Sequence, residues 1–360
     1  MEKIKKVELT QEGTKILPVK EPIITTYTQH AHMMTILSNN PETIEWIISH
    51  YTLLYYNKNL ANHNWADFYF PHPYDIHPFH FCRWIQCDSI YGEEIVNGSE
   101  SIIDYIIKWI DEERYVDIML NYFYIRNNLF FYQKQNGCHE VLVYGYNLSE
   151  KVFYCSDFLL ARSHKYTFST ITFEDMENAF NPSIVDEVSG RGSNQIYLVR
   201  LKKQIMSHFR ESSIVNSLRK YYKSEIPEYW EVYNTEDLPR IEFGLDGYNA
   251  LLRNIDIIEG EWCEPRTYYL MYDHKHLMVI RLKYLIGLHS NYEPYYKKLC
   301  AEYKKIEGRL KAVILLMVKY NYHKSNSIMN EIQENLLEAE VQERKALQEF
   351  FACIDQEDKK

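Results

Sequence analysis

The chain has 360 residues, which is enough for one large domain or two domains of medium size. Its formal net charge is −10. This acidity argues against a nucleic-acid-binding protein, because phosphate binding usually needs a basic surface. The 32 tyrosines, 16 phenylalanines and 6 tryptophans supply aromatic side chains for a core, and the 12 glycines form no phosphate-binding loop motif.

The first ten residues, MEKIKKVELT, contain no apolar segment of a secretory signal, and no run of about 18 apolar residues occurs. The cysteines are odd in number and widely scattered, which fits reduced thiols better than a disulfide framework. We therefore expect a cytoplasmic protein that needs no membrane and no cofactor. The cysteines are Cys82, Cys87, Cys138, Cys155, Cys263, Cys300 and Cys353.

The N-terminal region predicts an extended segment followed by two helices. Residues 1–25 mix polar and β-branched side chains, which indicates a short strand or an extended arm. The apolar run Ala31–Leu37 is compatible with a first helix. Asn40 is a good N-cap with Pro41 in the first turn, so we expect a second helix that runs to about Tyr56.

Residues 61–90 alternate aromatic and polar side chains, which predicts short strands interrupted by prolines. The aromatic positions are Phe68, Phe70, Phe79 and Phe81. The segment also concentrates possible metal ligands, namely His63, His72, His77, His80, Asp67 and Asp75. Their spacing matches no zinc-site pattern, so we assign no metal ligands here and keep a metal site only as the weaker alternative.

Residues 101–202 predict a helix followed by strands. Isoleucines at helical spacing follow Ser101, and a strong final strand is expected at Gln195–Leu201. Thr172 should cap a short helix that Pro182 ends. The other expected elements are a strand at Tyr115–Tyr124, a loop at Ile125–Gly137 and a strand at Tyr166–Ser169.

The stretch GCHEVLVYGYNLSEKVFYCSD, residues 137–157, predicts a β-hairpin. His139 lies at the start of its first strand, and Asp157 lies at the end of its second strand. Because these two ends are neighbours in an antiparallel hairpin, we expect the two side chains within hydrogen-bond reach. A carboxylate beside an imidazole fixes its tautomer and stabilises its charged form, as a general base requires.

From about Met206 the strand patterns nearly vanish, and helical patterns follow one another. We therefore expect an α+β domain over residues 1–205 with an antiparallel sheet, and an all-α domain over residues 206–360. The helices are expected at Ser212–Tyr222, Asp246–Ile257, Arg266–Leu288, Tyr295–Tyr320 and Ser325–Ile354, with a connector at Pro227–Pro239.

The order of a helix pair, strands, a helix and a histidine-bearing hairpin resembles a papain-like fold. The motif His139 followed by VLVYGYN, a turn, and FYCSD ending at Asp157 is similar to the family of butirosin biosynthesis protein H. Members of that family belong to bacterial peptide and aminoglycoside gene clusters. The pattern from Thr172 to Phe180 before QIYLVRL adds to the likeness, which covers roughly residues 20–202.

The resemblance implies a Cys-His-Asp site in which His139 is the base and Asp157 orients it. The family's nucleophilic cysteine opens the first helix, where the helix N-terminus lowers the pKa of a thiol. That position falls within residues 27–31, which contain no cysteine. The candidates beside the imidazole are Thr28, Gln29 and His30. A nucleophile from elsewhere would first be sought at Cys82 or Cys87.

Three hypotheses follow. The first is acyl or aminoacyl transfer from a carrier protein to an amine in bacterial specialised metabolism, with or without a covalent intermediate. The second is a non-catalytic member of the same fold that binds a peptide or a carrier protein. The third, a metal-dependent hydrolase, would use His72, His77 and His80. No nucleic-acid partner is expected in any of them.

Overall fold

The computed structural model describes residues 13–58, 66–70, 77–98, 100–160, 165–190, 192–206, 209–228, 241–257 and 264–359. The chain divides into two compact units. The first comprises Met1–Pro41 and Ile76–Met206, and the second comprises Glu42–Asp75 and Ser207–Lys360. The division at residue 206 lies where the strand patterns end, but residues 42–75 fall in the unit of the C-terminal helices.

The strands are β1 (Thr14–Ile16), β2 (Leu54–Asn57), β3 (Ala66–Phe68), β4 (Ile85–Tyr91), β5 (Tyr115–Asn121), β6 (Cys138–Asn147), β7 (Val152–Asp157), β8 (Thr167–Thr172), β9 (Gln195–Leu201) and β10 (Ile241–Phe243). The first unit is built on a seven-stranded antiparallel sheet in the order β4-β9-β5-β6-β7-β8, and β1 pairs with the end of β6. β5 and most of β6 are buried, which explains their continuous apolar sequences.

The helices are α1 (Thr28–Leu37), α2 (Ile44–His50), α3 (Gly92–Asn97), α4 (Ile102–Asp111), α5 (Phe173–Ala179), α6 (Pro182–Ser189), α7 (Glu211–Lys223), α8 (Gly247–Ile257), α9 (Arg266–Gly287), α10 (Glu293–His323) and α11 (Asn326–Glu357). Thr172 caps α5 as predicted, because its hydroxyl accepts a hydrogen bond from the backbone N–H three residues on. Pro182 does not end a helix. It starts α6, since a proline at the first position loses no helical hydrogen bond.

The prediction of a mixed helix and antiparallel-sheet protein with a helical C-terminal region is confirmed. The prediction that residues 206–360 are all-α is wrong, because β10 pairs with β2 in a three-stranded sheet of order β10-β2-β3. Three residues of strand are too few to produce a pattern in the sequence, and the partner strands come from the N-terminal half of the chain.

The second predicted helix ends earlier than expected, and Tyr56 lies in β2. The backbone carbonyls of Tyr51 and Thr52 accept hydrogen bonds from the side chains of Arg281 (2.6 Å) and His274 (2.8 Å), both on α9. These buried donors satisfy carbonyl groups at the end of the helix, and the aromatic residues that follow favour a strand.

The aromatic segment is also only partly strand. Phe68 lies in β3, whereas Phe79 lies in a single 3₁₀ turn that begins at Pro78. The strand β4, which follows this turn, lies at the end of the segment 61–90 that was predicted to form short strands. His63, His72 and Asp75 lie outside the described residues, as does most of the predicted connector.

A fully buried charged pair lies in the core of the second unit. The ammonium group of Lys275 is 2.8 Å from a carboxylate oxygen of Glu343 and donates to the hydroxyl of Tyr221 at 2.6 Å. Glu343 also accepts hydrogen bonds from the hydroxyls of Tyr248 and Tyr303. Burial lowers the pKa of Lys275 from its ordinary value, and the Glu343 carboxylate opposes that effect. None of the described helices is long and apolar enough to cross a membrane.

Candidate active site

The site is built on the β6–β7 hairpin, whose strands pair in antiparallel register from Leu142 opposite Ser156 to Asn147 opposite Val152. A bulge interrupts the register just before Gly145. A side chain at this glycine would place its Cβ 2.6 Å from the carbonyl oxygen of Lys15, so glycine allows β1 to approach the hairpin. The hairpin carries His139 at one strand start and Asp157 at the other strand end.

His139 and Asp157 are in contact, as the hairpin predicted. Nδ1 of His139 lies 2.9 Å from Oδ1 of Asp157 and 3.3 Å from the backbone carbonyl oxygen of Glu140. The imidazole side chain is 31% exposed, whereas the carboxylate is completely buried. The pair therefore combines a buried carboxylate with an imidazole that solvent can reach.

The buried carboxylate of Asp157 has further hydrogen-bond donors. The hydroxyl of Tyr122 donates to Oδ2, and the backbone N–H of Leu159 donates to the same oxygen at 3.2 Å. Burial disfavours the charged carboxylate, but the His139 imidazole and the Tyr122 hydroxyl together hold the pKa of Asp157 below its ordinary value. Tyr122 was not singled out in the sequence, since it lay inside an apparently continuous strand.

The same contact changes the protonation of His139. Burial lowers its pKa, but the nearby carboxylate of Asp157 outweighs burial and raises the pKa of His139 to about 9. The ring of Tyr122 packs edge-on against the imidazole with centroids 6.3 Å apart. At neutral pH, His139 is therefore an imidazolium held in a fixed orientation.

The third side chain comes from the start of α1. Thr28 is the first residue of the helix, and its Oγ1 lies 3.4 Å from Nε2 of His139. The N-cap residue Tyr27 is extended and makes no side-chain capping hydrogen bond. The positive end of the helix dipole thus lies at Thr28, where an alcohol stands in the place of the expected thiol.

The other two candidates on α1 occupy different environments. His30 is buried, with its ring centroid 6.4 Å from that of Tyr27. Gln29 is half-buried. Of the three candidates on α1, Thr28 has its hydroxyl beside the imidazole.

A second imidazole–carboxylate pair, which was not predicted, lies one helical turn further along α1. Nδ1 of His32 is 2.7 Å from Oδ2 of Asp117 on β5, and both side chains are buried. Burial lowers the pKa of His32, but Asp117 raises it above the ordinary value on balance. The sequence features that could have indicated this pair are the single aspartate inside the apolar strand YVDIML and the histidine inside an apolar helix.

No hydrogen bond or ion pair joins the His139 side chain to a described cysteine. Burial raises the pKa of Cys82 and of Cys87 to about 12, so both thiols stay protonated. Burial also raises the pKa of Cys138, which contacts Ser189 on α6. The six described cysteines form no disulfide, and Cys263 lies outside the described residues.

The described residues contain no group of three histidine, cysteine, aspartate or glutamate side chains placed to hold a metal ion. His77 and His80 are described and His72 lies outside the described residues, so the ligand set of the metal-dependent hydrolase stays a prediction. No protein-family model matches the chain, and a search of curated proteins found no match.

Proposed function

We propose that the first unit is an acyl-transfer enzyme in which Thr28, His139 and Asp157 act as nucleophile, base and orienting acid. The observation that carries the proposal is the alignment of the three side chains, with 3.4 Å between hydroxyl and imidazole and 2.9 Å between imidazole and carboxylate. A nucleophile next to a base that a third group orients is the arrangement of covalent acyl-transfer catalysis.

The wider context of the proposal is the papain-like fold and the butirosin protein H-like family. A helix N-terminus that faces a hairpin histidine supports this assignment, because papain-like enzymes place their nucleophile there. The acyl or aminoacyl group would then come from a carrier protein and pass to an amine in bacterial specialised metabolism. The exposed part of the His139 imidazole is where such a substrate would approach.

The proposed chemistry depends on removing a proton from His139 first. An imidazolium donates from both nitrogens, so it accepts the Thr28 proton only after it has lost its own Nε2 proton. Because the pKa of His139 is about 9, the reactive neutral form increases as the pH approaches that value. The acyl-transfer rate should therefore rise with pH up to about 9.

The second candidate is a non-catalytic member of the same fold, and the high pKa of His139 favours it. An imidazolium beside a hydroxyl and a helix N-terminus offers several hydrogen-bond donors, which suit a carbonyl or carboxylate of a bound peptide or carrier protein. Binding would need no proton transfer at neutral pH.

The variant Thr28→Cys tests the geometry directly. At neutral pH His139 is already an imidazolium, and its positive charge lowers the pKa of the introduced thiol from about 8.5, so the thiol loses its proton to solvent and a thiolate–imidazolium pair forms. We expect iodoacetamide to alkylate the introduced thiol faster than any native cysteine at about pH 7, and His139→Ala to abolish the difference. Gln29→Cys is the matched control, since its side chain points about 100° away around the helix.

Acyl transfer itself is measured on the unaltered protein with an aminoacyl thioester of N-acetylcysteamine, a small mimic of a loaded carrier protein. Intact-protein mass spectrometry should detect an acyl adduct that Thr28→Val lacks and that forms faster at alkaline pH. Binding of the thioester without an adduct and without its turnover would instead establish the non-catalytic candidate.

A further inference from the structure

Helix α1 presents polar side chains along one face. Thr28, His32 and Thr35 are spaced i, i+4 and i+7, so they lie in one row along the helix. His32 and Thr35 are completely buried. A buried helix normally packs with apolar residues, and a row of polar contacts costs desolvation that leucine or valine would avoid.

The central contact of this row is the ion pair between His32 and Asp117. In each of these side chains, one buried polar atom has no hydrogen-bond partner in the described part of the chain. These atoms are Nε2 of His32 and Oδ1 of Asp117. His32 is thus the one hydrogen-bond partner that the described residues give to Asp117. Any position of α1 that breaks this contact leaves the buried Asp117 carboxylate without a hydrogen-bond donor, which costs free energy and disfavours that position.

The last contact of the row fixes the far end of the helix. The hydroxyl of Thr35 donates to the hydroxyl of Tyr166 at 3.0 Å, and Tyr166 is 2.8 Å from the hydroxyl of Ser156 on β7. Leu142 lies opposite both Asp117 and Ser156, so these two partners belong to one row across β5, β6 and β7. The polar face of α1 therefore contacts this row directly at Asp117 and is linked to Ser156 through the hydroxyl of Tyr166.

Such contacts restrict a helix in a way that apolar packing does not. The hydrophobic effect is non-directional, so an apolar face tolerates small shifts along the helix axis. An ion pair of 2.7 Å loses most of its hydrogen bond when the helix slides by about 1 Å. The contact of Thr28 with His139, one turn away, depends on the same axial position.

We propose that His32 is a positioning residue: its buried ion pair with Asp117 sets the axial position of α1 and thereby holds Thr28 against His139. This inference rests on the proposed function, because it assigns the ion pair a role in the Thr28–His139 contact. A displacement of about 1 Å at a reacting group can cost on the order of 100-fold in rate.

The test uses alkylation of the introduced thiol in the Thr28→Cys background, in the full chain. His32→Leu should lower the alkylation rate at about pH 7 by roughly 10- to 100-fold and raise the apparent pKa of that thiol. His32→Asn should restore part of the rate, because its amide nitrogen can donate from near the position of Nδ1. Met34→Ala is the control, since it removes a buried side chain of the same helix without touching the polar row.

The outcomes separate the two proposals. If Thr28→Cys alone shows no His139-dependent reactivity, the proposed site is wrong. If it is reactive and His32→Leu leaves the pH profile unchanged, the site stands and the positioning role is refuted. The role is also refuted if Met34→Ala changes the pH profile as much as His32→Leu, because general destabilisation would then explain both.

Discussion

Replacing Asp157 with asparagine should lower the pKa of His139 from about 9 to its ordinary value of 6.5 or below. The substitution keeps the size of the side chain but removes the charge that opposes burial. The difference in pKa corresponds to roughly 3 kcal/mol at about 1.4 kcal/mol per pKa unit. Because the imidazole is 31% exposed, solvent screening reduces the expected loss of stability to roughly 2 kcal/mol.

The pH dependence of this loss follows from the two pKa values. The folded protein raises the pKa of His139, so its stabilisation is complete below pH 6.5 and disappears as the pH rises through about 9. The folded protein lowers the pKa of Asp157, so its stabilisation is present above 3.8 and disappears as the pH falls through the folded value. The difference between wild type and Asp157→Asn should therefore be largest between pH 3.8 and pH 6.5.

The assay is a titration of the His139 ring resonances by NMR in both proteins, together with urea unfolding across the same pH range. Glu150→Gln, at the exposed turn of the same hairpin, is the control and should leave the His139 titration unchanged. An imidazole that titrates near 6.5 in the unaltered protein would refute the electrostatic argument, and so would an unchanged titration in Asp157→Asn.

Three further predictions follow from the described contacts. Iodoacetamide should label no native cysteine selectively at about pH 7, because the thiols of Cys82 and Cys87 stay protonated. Peptide mapping checks this, and selective labelling of one cysteine that His139→Ala abolishes would contradict it. The rate of acyl-adduct formation, followed by mass spectrometry, should increase up to about pH 9, and a maximum near pH 6 would contradict the pKa of His139. Lys275→Met should lower the free energy of unfolding in urea by roughly 3–5 kcal/mol, and adding Glu343→Gln to that variant should recover at least about 1 kcal/mol. If the effects of the two single substitutions simply add in the double variant, the buried pair is not coupled and the argument is wrong.

The hairpin could be predicted because its information is local. Two apolar runs with a polar turn between them determine which strand ends are neighbours, and this places His139 beside Asp157 without any knowledge of the rest of the chain. The start of α1 was predicted to within a few residues for the same reason, since the apolar helical run begins at Ala31. The distance between Thr28 and His139, however, depends on packing between elements that are far apart in the sequence.

The features that were not predicted from the sequence depend on non-local partners. The two backbone carbonyls directly after the second helix accept hydrogen bonds from side chains more than 200 residues away, those of Arg281 and His274. The pair of His32 and Asp117 joins a helix to a strand 85 residues later. In each case, a polar residue inside an apolar segment was visible in the sequence, but its partner was not.

The carboxylate of Asp157 has opposite consequences for a thiol and for an alcohol at position 28. Asp157 raises the pKa of His139 to about 9, which would favour an ion pair with a thiol but leaves the imidazole protonated beside a hydroxyl. The arrangement that would activate a cysteine therefore makes Thr28 a slow nucleophile at neutral pH, and its reactivity should increase as the pH approaches about 9. A reactive Thr28→Cys variant together with an inert native protein would show that the site geometry is intact and that the nucleophile alone limits the chemistry.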